Sequence, residues 1–159
     1  DYISQVYNNS SMKLSTKSRY AITAIVDLAS SEESAVSLKG ISDRQKISLS
    51  YLEQLFCKLK NSGIVKSQRG PGGGYKLGRN AQDITLLQII TAVEENIDQT
   101  QCGGSLNCNK EKPCSTHHVW TGLNKIIYDY MNKITIGDVA NNNTVHEMYD
   151  AREGNLNVN

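Results

Sequence analysis

No apolar run in this 159-residue chain approaches the roughly 20 residues needed to cross a bilayer. The opening stretch DYISQVYNNSS lacks both the basic region and the apolar core of a signal peptide. These two absences exclude a helical membrane protein and lead us to expect a soluble, cytoplasmic chain with no membrane partner. Nucleotide-binding signatures are missing as well. Gly70-Pro71-Gly72-Gly73-Gly74 is not followed by the Gly-Lys-Ser/Thr of a Walker loop, and Tyr75 stands where a dinucleotide fingerprint needs its third glycine. Neither a nucleophile–base pair nor a carboxylate dyad is readable, so the chain is not expected to be an enzyme. With 38% hydrophobic residues, it supports one domain of moderate core plus an oligomerising extension.

Charge is present but unevenly placed. Residues 12–79 hold twelve Lys+Arg against five Asp+Glu, which leaves five against eleven for the rest of a chain whose net charge is +1. The first half is therefore basic, as expected of a unit that displaces counterions from nucleic-acid phosphate. The bland alternative is a solvated basic face.

Cysteine is sparse, and three of the four fall in Cys102 to His117, CGGSLNCNKEKPCSTH. The ligand types follow Cys-x5-Cys-x5-Cys-x2-His, spaced by residues that cannot form a core. In a reducing compartment this reads as a loop around a metal rather than a disulfide framework. Three thiolates and an imidazole suit zinc or an iron-sulfur cluster. The five-residue gaps, with none of the tight knuckles usual for structural zinc, favour the cluster. His118 adjoins His117, so the ligand histidine could slip by one. The fourth cysteine, Cys57, lies far from the loop and reads as a border residue more readily than a redox sensor.

Taken in order, residues 1–11 read as an appended or disordered tail. Ile22, Ile25, Val26 and Ala29 then recur at helical spacing, which predicts a first helix from about Ser15 to Ala29. Lys13, Lys17 and Arg19 cluster at its start, where cations oppose the helix dipole; an external phosphate would account for them. Ser37 is suited to cap a short helix carrying Leu38 and Ile41, and another helix follows from about Ser48. Together they read as helix-turn-helix, with Lys46 in the turn, either in a left-handed conformation or shifting the turn. Leu52, Leu55, Phe56 and Leu59 form the buried stripe, leaving Ser50, Glu53, Gln54, Cys57 and Lys58 outward or at its border. Gln and Glu are base-edge chemistries, although Ser50-Tyr51-Leu52-Glu53 could equally be a capping box. Two short strands around Gly70–Gly74 then read as a wing with Arg69 at its base, suited to a minor groove; a plain hairpin is the alternative. Thr85-x-x-Gln88 caps a helix whose Leu86, Ile89, Ile90, Val93 and Ile97 share a face. Past the ligand loop, Val119, Trp120, Leu123, Ile126, Ile127, Tyr130, Met131 and Ile134 predict a helix with an apolar band wide enough to pack on a second subunit.

The predicted fold class is mainly α with a small β wing, a winged helix-turn-helix domain plus a long C-terminal dimerisation helix. The expected divisions are a tail at 1–11, the winged domain at 12–80, a connecting helix at 81–101 and the ligand loop at 102–117. The dimerisation helix with a short helical turn follows at 118–140, and a flexible tail at 141–159.

MKLSTKSRYAITAIVDLA, ISLSYLEQLFCKLKNSGIVKSQRGPGGGYKLG and the Cys-x5-Cys-x5-Cys-x2-His loop together resemble the iron-sulfur cluster regulators among bacterial winged-helix transcription factors. The resemblance runs from Met12 to about Asn142. It implies a homodimeric repressor and activator on double-stranded DNA with pseudo-palindromic sites. It also implies one [2Fe-2S] cluster per subunit on Cys102, Cys108, Cys114 and His117, loaded by the cluster donor machinery. Control of cluster-assembly genes would follow. Ser50, Glu53 and Gln54 would read bases and Arg69 would enter the minor groove, with Lys13, Arg19, Tyr51, Gly70 and Gly72 as further DNA-facing candidates. A zinc-stabilised winged-helix DNA-binding protein is the alternative, and an iron-sulfur electron carrier a more distant one.

Overall fold

The computed structural model describes residues 14–141; Lys13 and the two expected tails, apart from Asn141, lie outside them. Helix α1 spans Thr16–Ala29, α2 Leu38–Gln45 and α3 Leu49–Asn61, followed by strands β1 Val65–Gln68 and β2 Gly74–Leu77. After a 3-10 turn at Ala81–Asp83 come α4 Leu86–Ala92, α5 His117–Lys133 and α6 Ile136–Ala140. A helix-turn-helix with a two-stranded wing is what the sequence predicts, and no described helix is long and apolar enough to cross a membrane.

Local chemistry sets these boundaries. Ser15 starts α1 by accepting from the Lys17 N–H at 3.2 Å, and Ser37 starts α2 by accepting from Gly40 at 3.0 Å. The buried face of α1 is Ser18, Ala21, Ala24, Ile25 and Leu28, turned from the expected stripe because small side chains allow close helix approach. Ile22, Val26 and Ala29 border it, half-buried. Lys46 ends α2 at φ 57°, the left-handed conformation that glycine adopts without cost. Ser48 precedes α3 and Ser50 lies inside it, so the alternative capping box from Ser50 to Glu53 does not form.

One core joins the helices and the wing. Phe56, Ile25, Leu52, Ile64, Ile89 and Ile136 are among its fully buried side chains, each contributing about 1.5–3 kcal/mol by leaving water. The Phe56 and Tyr75 rings meet edge-on at 5.0 Å, fixing the wing on α3. Val36 extends the wing by exchanging two 2.8 Å backbone hydrogen bonds with Tyr75. Gly74 permits that approach, since a Cβ there would lie 2.3 Å from the Val36 carbonyl oxygen.

The connecting helix expected over 81–101 is shorter in the structure. The Thr85–Gln88 capping box forms with two bonds of 3.2 Å, but α4 stops after two turns. Glu94 takes φ 58°; its N–H reaches the Thr91 carbonyl at 3.0 Å and that of Glu95 reaches Ile90 at 3.2 Å. That left-handed closure ends the helix, so Ile97 is buried from an extended linker rather than from the helical face. At the far end of α5 the chain returns to the start of α4. Leu86 donates to the Ile134 carbonyl at 2.9 Å and Ile136 to that of Ile84 at 2.8 Å. A second capping box, Thr135 with Asp138, starts α6.

Candidate metal centre and nucleic-acid interface

Glycines and polar residues leave the segment between the linker and α5 without a core of its own. Its turns use the left-handed region at Gly103, Gly104, Leu106, Lys110 and Glu111. Those turns fold the chain back so that Cys102, Cys108 and His117 converge, with ligand atoms all within 4.8 Å of one another. His117 Nδ1 lies 3.7 Å from Cys102 Sγ and 3.6 Å from Cys108 Sγ. Two donors on one tetrahedral ion, at ~2.3 Å for sulfur and ~2.05 Å for nitrogen, stand ~3.6 Å apart. The separations therefore fit ligands of one metal centre.

Cys114 lies beside this group but not in it. Its backbone N–H donates to Cys108 Sγ at 3.0 Å, while its own Sγ sits 3.6 Å from Thr116 Oγ1. All four expected ligands line one cleft of about 290 Å³, together with Thr100, Gln101, Thr116 and Trp120. His117, as the first residue of α5, is buried at 3% exposure, whereas His118 is exposed. This separates the two histidines that the sequence leaves open.

The thiols differ in acidity. Burial pushes Cys102 up, but donors from Leu106, Gly104, Cys108 and Thr100 bring it below the ordinary thiol value. Cys114 is lowered by the Thr116 hydroxyl and by Cys108. At Cys108 the Cys114 N–H lowers, but burial and the two neighbouring sulfurs together raise it. Thiols of this kind, with an imidazole, form a donor set that fits zinc or an iron-sulfur centre.

Asp98 ties the linker to α5. It accepts from Thr100 N–H and hydroxyl at 2.8 Å each and from Asn124 Nδ2 at 2.6 Å, and these donors hold its carboxyl below the usual range. Asn124 returns the contact by accepting from the Gln99 N–H at 2.8 Å.

Helix α3 presents Ser50, Glu53, Gln54, Cys57 and Lys58 along one open surface groove. Tyr51 is half-buried, its ring meeting Tyr20 edge-on at 5.8 Å, which sets the start of α1 beside the first turn of α3. Arg19 is exposed there and donates to the Leu14 carbonyl at 3.2 Å. Arg69 is exposed at the base of the wing tip, where Gly70 and Gly72 turn the chain at φ 100° and 70°.

The sequence reading missed the groups that brace these surfaces. Asp27, on α1, accepts from Arg44 at 3.1 and 2.6 Å and from Gln45 at 2.6 Å. Burial pushes Asp27 up, but those donors more than offset it, so its carboxyl stays below its ordinary value and clamps α2. Glu94 pairs with Lys58 at 2.5 Å, which with nearby Lys17 holds its carboxyl below the ordinary carboxylate range. Glu95 accepts from the Ser15 hydroxyl and N–H, and from the Ser18 hydroxyl at 3.0 Å. The available signal was two glutamates following an apolar helix run, where cations are favoured.

A family model named Rrf2, described as an iron-dependent transcriptional regulator, matches residues 14–142. The HTH-type transcriptional regulator IscR of Vibrio atlanticus is 48% identical over 149 residues, covering 93% of this chain and 86% of that protein. The solved structure of T. potens IscR superposes with a TM-score of 0.66 at 40% identity, over 80% of this chain and 85% of that one. CymR, the global cysteine regulator of B. subtilis, superposes at 0.71 and 33% identity, over 81% and 96%. The family match runs through the helix-turn-helix, the wing and α5, and the chain belongs to the Rrf2 family of winged-helix transcriptional regulators.

Proposed function

We propose that this regulator senses iron-sulfur supply through a [2Fe-2S] cluster and controls cluster-assembly genes from pseudo-palindromic DNA sites as a homodimer. The observation that carries the reading is the convergence of Cys102, Cys108 and buried His117 where α5 begins. Cys114, lining the same cleft, completes the set. Bound there, such a cluster supplies a reversible one-electron centre whose occupancy follows supply and oxidants. One neutral imidazole among thiolates donates less charge than a fourth thiolate would, which suits a centre that must be lost as well as gained. In this reading Ser50, Glu53 and Gln54 address base edges, Arg19 phosphate, and Arg69 the minor groove. A Glu53 carboxylate accepts from the cytosine amino group and is repelled where no donor is offered, so it discriminates among sites.

Zinc is the second reading, favoured by a specific observation. Both Nδ1–Sγ distances match one tetrahedral ion, and a single zinc would use three of these donors at once. Iron, zinc and acid-labile sulfide content, with a visible spectrum, decides between them on protein purified without oxygen. We expect about two iron and two sulfide per subunit. Both should be lost in Cys102→Ala. About one zinc without sulfide would replace supply sensing with a structural clamp.

A further inference from the structure

Glu94 occupies a position that neither its backbone nor its charge favours. Its φ of 58° closes α4 in the left-handed region, where glycine is usual. Its carboxylate stands at a helix C-terminus, where the dipole favours cations. A residue held against both preferences is explained by what its side chain does. That side chain reaches α3 and pairs with Lys58 Nζ at 2.5 Å, while the Glu94 carbonyl receives Lys17 Nζ at 3.5 Å. Next to it, Glu95 takes the hydroxyls of Ser15 and Ser18 at the start of α1. Lys58 and a helix start, the kind of groups that hold phosphate, thus meet two carboxylates of the same chain, with Lys17 on the Glu94 carbonyl beside them. Lys58 also lines the groove shared by Ser50, Glu53 and Gln54, so it belongs to the DNA-facing side of α3.

We propose that Glu94 is an intramolecular competitor for DNA phosphate at Lys58, and so sets how strongly and how salt-dependently this regulator binds DNA. The inference rests on the DNA-binding reading of α3. The pair is exposed, at 38% for Lys58 and 73% for Glu94, so its effect is graded rather than absolute.

The test is a salt series of affinities for a mixed-sequence duplex, using the full chain, Glu94→Gln, Lys58→Gln and the double variant. Glu94→Gln should tighten binding by up to about fivefold. It should also steepen the log affinity against log salt slope by about 0.9, the value of one added phosphate contact. In the Lys58→Gln background the same substitution should change neither quantity. Glu94→Gly should reproduce the tighter binding while raising the unfolding temperature, because glycine relieves the left-handed backbone. Unchanged affinity and slope in Glu94→Gln, or an equal change without Lys58, overturns the proposal while leaving DNA binding intact. An unsubstituted chain that fails to bind duplex at any salt overturns the DNA-binding reading and this inference together.

Discussion

At the scale of single residues, the chain places side chains where the backbone does not favour them. Lys46, at φ 57° between the two helices of the helix-turn-helix, carries a strain of about 1 kcal/mol that glycine avoids. Lys46→Gly should raise the unfolding temperature by about 2–4 °C in a calorimetric scan. An unchanged or lower temperature would show that the lysine sits there without strain. The turn position was legible because the apolar stripes of α2 and α3 flank it, and the structure takes the left-handed alternative. The four candidate ligands were legible as a spacing, and three of them, Cys102, Cys108 and His117, converge around one point. Asp27, Glu94, Glu95 and Asp98 were not legible. Their partners lie at distances of 17 to 80 residues along the chain for the first three, and no local period records such pairings.

Among the elements, α5 stands apart. Of its 17 residues only His117 is buried, and Val119 and Ile126 are 60% and 62% exposed. Trp120 and Tyr128 are exposed beside them. A helix that shows so much apolar surface gains stability by pairing, as the homodimer reading requires. Ile126→Glu should therefore shift the protein toward monomer in sedimentation velocity, by tenfold or more in dissociation constant, with about 1.5–3 kcal/mol of burial forfeited per subunit. Retention of the dimer at the same concentration would place the interface elsewhere. The apolar band of this helix was readable from its spacing alone. The short α4 was not, because Leu86 to Ile97 keeps a helical period through a stretch that Glu94 breaks; periodicity reports which residues are buried, not the backbone that buries them.

For the whole molecule, burial and ligand geometry are separate. The core cluster draws on α1 to α4, the wing and the Ile134–Ile136 return, and takes no fully buried member from between Val93 and Ile134. Stripping metal with a chelator should leave helical circular dichroism and the unfolding of the winged core unchanged, while trypsin cleavage after Lys110 speeds up severalfold and slows again on reconstitution. Global unfolding on chelation would mean instead that the loop holds the fold together.

The two ends of α5 are held by different means. At Ile134 the backbone is clasped to the start of α4 by bonds of 2.9 and 2.8 Å, and the Thr135–Asp138 box locks the exit. At the other end Thr116 gives no side-chain cap, and the first residue, His117, is itself a ligand candidate. A rod about 25 Å long, clasped at Ile134 and tied part-way along to the linker through Asn124, is a lever with its fulcrum at Ile134 when the linker moves with it. A shift of about 1 Å at His117 turns it by about 2°, nearly all of it felt at Val119 and Trp120 and only about a quarter at Tyr130. A partner lying along this helix would register the state of the loop as a gradient, strongest next to the sulfurs and fading toward the hinge.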